Sequence, residues 1–224
     1  MIRIDKLRAE CQGIYLEEFS LEVANGEVFF LLDKDDACRR LLFDWMRGFA
    51  LPPSMVGGAL RLDGAVFVDR VEDPSYFETG ATLQAWFDFT CAAWALDRER
   101  VWHALFSWGF DEKLLKKRVR ETRPEVLKTV YLALVLAGAA RDVVVNDFAK
   151  SANREFGLFF DRLLDQWRTE QRAVLYLSDD LFHALKVADR VGFVKHGQLM
   201  PADPIPAQDL KEMNIKELYD KYLS

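Results

Sequence analysis

The sequence predicts an α/β protein with a parallel core sheet, a β-rich opening and a helical insertion. Three observations carry that prediction. The chain opens on three runs that alternate in strand fashion. From Arg141 onward, β-branched runs alternate with amphipathic helical segments, the pattern of strand–helix–strand units. Between them, from Thr82 to Ala137, the apolar spacing is helical throughout.

The opening runs are "MIRIDKL", "YLEEFSLEVA" and "EVFFLLD", separated by "CQG" and "NG". Asn25-Gly26 is a strong turn signal between two such runs. The third run leads through a short polar turn into a helix with Leu41, Leu42, Trp45 and Met46 on its apolar face and Gly48 as its stop. That is the layout of a phosphate-binding loop. "LPPSMVGGALRLDGAVFVD" reads as a Pro/Gly loop followed by a short strand pair.

Thr82 is placed to N-cap "TLQAWFDFTCAAWAL", "RERVWHALFSWGF" follows, and Pro124 takes a first-turn position before "EVLKTVYLALVLAG". "RDVVVND" reads as a fully buried strand. In "NREFGLFFDRLLDQWRTE" the apolar residues at 156, 159, 160, 163, 164 and 167 share one helical face. "AVLYLS", a helix over "DLFHALKVAD" and a strand "RVGFVKHG" complete the alternation, and "DLKEMNIKELYDKYLS" reads as a terminal amphipathic helix.

With 224 residues, the chain suits one domain with a sizeable core. A net charge of −6 argues against sequence-independent binding of nucleic acid, which needs a basic face. Cys11, Cys38 and Cys91 are odd in number and far apart, so they suggest a reducing compartment and neither a metal cluster nor a disulfide framework. "MIRIDKLRAE" carries charges where a signal peptide needs an apolar run. No stretch approaches the roughly 20 apolar residues of a spanning helix, so any membrane role is expected to run through a partner.

Taken in order, these segments resemble the ATP-binding cassette (ABC) ATPase family over essentially the whole chain. The best match is "LSDDLFHALKVADRVGFVKHGQL", which is similar to the family's switch-histidine segment and the strand pair after it. "FSLEVANGEVFFLL" and "LALVLAGAARDVVVND" fit equally well, and "GGALRLDG" falls where the family closes its first lobe. The resemblance implies a P-loop NTPase fold of the ABC ATPase type over residues 1–224. It would combine the parallel core sheet with an N-terminal antiparallel β subdomain and a helical subdomain near 80–137.

The resemblance also assigns each chemical position. A phosphate loop needs glycines whose N–H groups curl round phosphate, a Lys for the β/γ-phosphates and a Ser/Thr hydroxyl for Mg²⁺. The matching stretch here is Asp33, Lys34, Asp35, Asp36, Ala37, Cys38, Arg39 and Arg40. All three glycine positions, Asp33, Asp36 and Cys38, carry side chains, and two of them are carboxylates. Arg39 stands at the lysine position and keeps the charge. Arg40 replaces the hydroxyl.

Asn146 and Asp147 occupy the family's Mg²⁺-binding Asp and water-activating Glu, and Asp179 occupies the switch histidine. The signature that clasps a partner's nucleotide aligns with Thr122, Arg123, Pro124, Glu125 and Val126 in place of a Ser-Gly-Gly core. No Gln lies between Phe67 and Ala81, where the family's metal-contacting Gln falls. The adenine-stacking aromatic would fall near Glu10 or Cys11, with Tyr15 too late in the chain. Each lost charge-assisted contact is worth roughly 1.5–3 kcal/mol, so even two such losses make Mg-ATP binding weak.

Simpler readings stand beside these. The 33–40 turn reads as a solvated loop of balanced charge, with anion binding at Arg39, Arg40 and the helix N-terminus as the alternative. Asn146 and Asp147 read as strand-end residues that cap or turn the chain, and His183 as a helix-surface histidine. His103 and His196 read as structural or solvent-facing. The aromatics of "YFETGATLQAWFDF" read as core, with a docking surface for coupling helices as the alternative.

The leading expectation is therefore a catalytically inactive ABC-type homologue, a pseudo-ATPase needing no cofactor, that acts as a structural or regulatory subunit of a membrane ABC transporter complex. Its expected partners are a transmembrane permease and an active ABC ATPase paralogue, in a homo- or heterodimer and without nucleic acid. Its expected place is the cytoplasmic face of the inner membrane. The alternatives are a divergent ABC ATPase that still binds and slowly hydrolyses ATP, with Arg39 for Lys and Asp147 as base, and a soluble scaffold unrelated to transport.

Overall fold

The structure is a computed structural model that describes residues 1–11, 14–48, 56–62, 64–70, 80–137, 141–150 and 152–223. It divides into two compact units, one of Met1–Asp69, Arg141–Asp147 and Phe159–Ser224, the other of Arg70–Ala140 and Phe148–Leu158.

In the first unit, β1 (Ile2–Cys11) and β2 (Ile14–Val23) form an antiparallel hairpin. Their alternation is not unbroken. Ile4 and Leu7 both face inward although they lie three positions apart, and a bulge at Lys6 (φ 47°) absorbs the extra residue. Glu18 (φ 50°) does the same between Leu16 and Phe19. β3 (Val28–Leu32) leaves for a second sheet and is followed by α1 (Asp36–Met46). β4 (Val56–Arg61) returns to the free edge of β1, with Gly58 (φ +100°) against the bulge. A Cβ at Gly58 would lie 2.6 Å from the Lys6 carbonyl oxygen, so only glycine fits there.

β5 (Ala65–Asp69), β6 (Asp142–Asn146), β7 (Ala173–Ser178), β8 (Arg190–Lys195) and β9 (Gln198–Pro206) join β3 in a six-stranded sheet ordered β5-β6-β7-β3-β8-β9. Every pairing is parallel except β8 with β9. β3, β6 and β7 are buried along their whole length, as their unbroken apolar runs require. Leu41, Leu42, Phe43 and Met46 of α1 share one core with Ile2, Leu16 and Leu21 of the first sheet and with Phe29, Leu31, Val144 and Leu175 of the second. The helix is thereby packed between the sheets.

The second unit is helical. α2 (Leu83–Ala93) starts at Thr82, whose hydroxyl accepts from the Ala85 N–H at 3.2 Å. α3 (Arg98–Ser107), two 3₁₀ turns at Glu112–Lys116 and Val119–Glu121, and α4 (Pro124–Leu136) complete it. Leu83, Phe87, Val101, Leu105, Leu127 and Val130 are among its core residues. The predicted helical stretch at 80–137 lies within this unit, which also takes in 148–158. α5 (Arg154–Thr169) and α6 (Leu181–Val187) follow β6 and β7, as the sequence pattern requires.

Asn25-Gly26 turns the chain between β2 and β3 as expected, with Gly26 at φ +74°, and passes it from one sheet to the other. Two local expectations are corrected. β4 and β5 do not pair with each other; they belong to different sheets. The terminal segment is not one helix. α7 (Ala207–Lys211) ends before Asn214, whose side chain accepts from the Lys216 N–H at 2.9 Å to start α8 (Ile215–Leu218), and a π-helical turn covers Tyr219–Leu223.

Candidate functional site

Parallel strands bring their C-terminal ends to one edge, and ligands of open α/β sheets bind at that edge. Register places Leu32 beside Ser178, Asn146 beside Leu177 and Asp69 beside Asn146. Asp33, Asp147 and Asp179 follow directly in sequence, so residues far apart in the chain meet at one place. Asp35 caps α1 by accepting from the Ala37 N–H at 2.9 Å, and Asp33 Oδ1 accepts from the Asp35 N–H at 2.8 Å.

Arg39, in the first turn of α1, is the centre of this cluster and is only 2% exposed. Its Nη1 donates to the Asp33 backbone oxygen. Its Nη2 donates to Asp36 Oδ1 at 3.0 Å, and lies 3.1 Å from Asp147 Oδ2 and 3.8 Å from Asp179 Oδ2. Asp147 is itself buried and accepts at Oδ1 from the Ser178 hydroxyl at 2.6 Å. Its backbone is left-handed (φ 44°), and its N–H donates to the Leu177 carbonyl at 2.9 Å. A guanidinium fork suits such a ring of acceptors, because its donors are fixed in one plane and carry full charge.

Arg40 makes a separate contact. Its Nη1 donates to Asp69 Oδ2 at 2.6 Å, while Asp69 Oδ1 accepts from the Asn146 amide at 2.9 Å. The position expected to bear a metal-binding hydroxyl and the one expected to bear a metal-binding carboxylate are thus joined through Asp69. Arg47 lies 3.8 Å from the same carboxylate.

Burial pushes the Asp33 carboxyl above its ordinary value of 3.8, against the Asp35 N–H and the Cys38 thiol, which pull it down. Burial, reinforced by the Asp33 charge, also raises the Cys38 thiol far above the usual range, so Cys38 stays protonated and chemically inert.

Asp33, Asp36, Cys38, Arg39, Asp147 and Asp179 therefore lie together, and Arg40 and Asn146 meet at Asp69 beside them. The turn differs from a solvated loop, since Asp33, Cys38 and Arg39 are buried and only Lys34, Asp35 and Ala37 are exposed. It also differs from an anion-binding turn, because the side chain meant to meet the anion faces carboxylates. Thr122–Val126 lie in the second unit, where Pro124 opens α4 and the Thr122 hydroxyl donates to the Arg118 carbonyl at 2.9 Å. Tyr15 is 50% exposed and sits directly across the hairpin from Glu10. Residues 71–79, which hold the opening of the predicted docking stretch, lie outside the described residues.

His183 is no ordinary surface histidine. Its ring is packed edge-on against Phe30 and Tyr176, and its Nε2 is 2.8 Å from Asp161 Oδ1. It faces α5 and not Arg39. His103 and His196 are exposed. Asp69 and Ser178 were not legible as site residues. Their one signal is a polar residue ending an apolar strand, and it acquires meaning only once the strand order is known.

A magnesium-bound triphosphate does not fit these residues. At an effective dielectric near 20, one carboxylate about 4 Å from a phosphate charge opposes it by about 4 kcal/mol, more than one charged hydrogen bond returns. Asp36, Asp147 and Asp179 outnumber the single charge of Arg39, and Arg39 is already engaged by them. Arg40 offers no hydroxyl, and the Asn146 amide is turned to Asp69. Among the described residues no His, Cys, Asp and Glu group is arranged to hold a metal ion.

No family profile matches this sequence, and no curated protein matches it significantly. Solved structures do match. CbiO1 from Clostridium perfringens, part of the ABC transporter complex cbiONQ, has a TM-score of 0.76 at 17% identity, over 98% of this chain and 94% of that one. An ATP-binding subunit of an ABC transporter gives 0.79 at 14% identity, over 99% and 98%. An ATP-binding cassette of an ABC transporter in its ADP conformation gives 0.77 at 12% identity, over 99% and 98%. The fold of this chain is accordingly the ABC ATPase fold, an antiparallel β region beside a mostly parallel core sheet.

Proposed function

We propose that this chain is an ABC-type nucleotide-binding-domain homologue without ATPase activity, acting as a structural or regulatory subunit of a membrane ABC transporter complex. The observation that supports it most is the engagement of Arg39 by Asp33, Asp36, Asp147 and Asp179. The cation that would bind phosphate and the carboxylate that would activate water are bound to each other. Phosphoryl transfer depends almost entirely on positioned charge, and this edge is organised for internal neutralisation.

The complex is inferred from the neighbours. CbiO1 is part of a transporter complex, and this chain shares its fold from end to end. No helix among the described residues is long and apolar enough to cross a membrane, so a transmembrane permease would supply the membrane contact, at the cytoplasmic face of the inner membrane.

Purification of the tagged full chain from native membranes tests this reading. The expected result is co-purification of a permease, with no ATP turnover by the isolated chain. A chain that never travels with a permease is a soluble scaffold, and one that hydrolyses ATP alone is a divergent ATPase.

A further inference from the structure

The Arg39 guanidinium touches three separate segments at once. These are the turn between β3 and α1 through Asp33 and Asp36, the end of β6 through Asp147, and the turn between β7 and α6 through Asp179. Backbone bonds run beside those contacts. The Asp33 N–H donates to the Ser178 carbonyl at 2.9 Å, the Asp147 N–H to the Leu177 carbonyl at 2.9 Å, and the Asp180 N–H to Ser178 Oγ at 3.1 Å.

We propose that Arg39 is a built-in latch, an internal guanidinium that holds these three turns in one arrangement whether or not nucleotide is present. The proposal rests on the pseudo-ATPase reading and deepens it by naming how the vacated chemistry is replaced. A diffusible ligand can shift a conformational equilibrium only through its differential affinity for the two states, and its hold ends when it leaves. Arg39 is covalently part of α1 and cannot leave. Opening the turns would strand the Asp147 carboxylate, 1% exposed, without its cation, and a buried charge without its partner is strongly disfavoured. The backbone of Asp147 is left-handed at the same place (φ 44°). A partner subunit therefore meets an edge of constant shape, unlike one that opens and closes with ATP.

Hydrogen exchange on the full chain and on Arg39→Ala tests the latch, read at the amides of Asp33, Asp35, Asp147 and Asp180. Each protein is measured with and without Mg-ATP, and with low-millimolar guanidinium chloride against equal sodium chloride. The latch predicts that Arg39→Ala loses protection in all three turns together, with Tm lowered by roughly 5–15 °C. Guanidinium, but not sodium, restores part of both losses.

Loss confined to the β3–α1 turn, or equal effects of the two salts, overturns the latch. If Arg39→Ala fails to fold, Asp36→Asn and Asp179→Asn, which each remove one half-exposed arm, replace it. Each is then expected to loosen all three turns to a smaller degree, and a change restricted to its own turn overturns the proposal. A gain in wild-type protection with Mg-ATP is the separate result that sinks the pseudo-ATPase reading.

Discussion

Arg39 and Arg40 are neighbours with the same head group, yet their burial separates their energetic roles. Arg39 is 2% exposed against a carboxylate exposed by 1%, whereas Arg40 is 38% exposed against Asp69. Breaking a buried ion pair costs roughly 3–5 kcal/mol, while an exposed pair is worth about 0–1. Urea unfolding is expected to show that difference between Arg39→Ala and Arg40→Ala, and equal losses would contradict the burial argument. The positions of Asp33, Arg39, Asp147 and Asp179 were legible in the sequence. That they bond one another was not, because they belong to motifs far apart in the chain and meet only through the order β6-β7-β3. A lysine position accounts for the charge of Arg39 but not for its fork, which matches carboxylates as well as phosphates.

Asp161 carries a pH dependence of its own. Burial pushes its carboxyl up, but hydrogen bonds from His183 and Lys186 and their charges outweigh that and hold it below 3.8. A carboxyl lowered in the folded state adds stability that is fully present above its unfolded value and is lost as pH falls through its folded value. Asp161→Asn should therefore destabilise the protein above pH 3.8. The gap from wild type should close below it. Thermal melts across that range check the sign, and a gap that widens in acid would refute it.

Among elements, α1 joins the two sheets of the first unit, and Phe43 is the centre of that joint. It is fully buried and meets the Phe67 ring edge-on at 5.8 Å. Phe43→Ala removes a buried ring from a packed core and is expected to cost roughly 3–5 kcal/mol in denaturant titration. A loss below about 1 kcal/mol would place the core elsewhere. β3, β6 and β7 were legible because both of their faces are buried, which leaves unbroken apolar runs. The hairpin was harder. Bulges at Lys6 and Glu18 disturb the alternation, and the strongest turn signal, Asn25-Gly26, joins two sheets. A dipeptide specifies the turn but not which strands flank it in a sheet. The C-terminal segment departs from one helix for a similar reason, because amphipathic spacing continues across Asn214 while its side chain starts a new turn.

At the scale of the whole molecule, the chain keeps the ABC ATPase fold from end to end at 12–17% identity to three solved structures from ABC transporters. Low identity with a retained fold is what core patterning permits, since burial needs apolar residues at the right spacing and not particular ones. Phosphate chemistry is less forgiving, as it needs named groups at fixed points. Fold and chemistry can therefore separate, and on the function proposed above they separate at the Arg39 cluster. Isothermal calorimetry of the full chain with Mg-ATP and Mg-ADP tests that most directly. No binding heat is expected in either titration, for wild type and Arg39→Ala alike. Micromolar binding by the wild type that Arg39→Ala abolishes would contradict it.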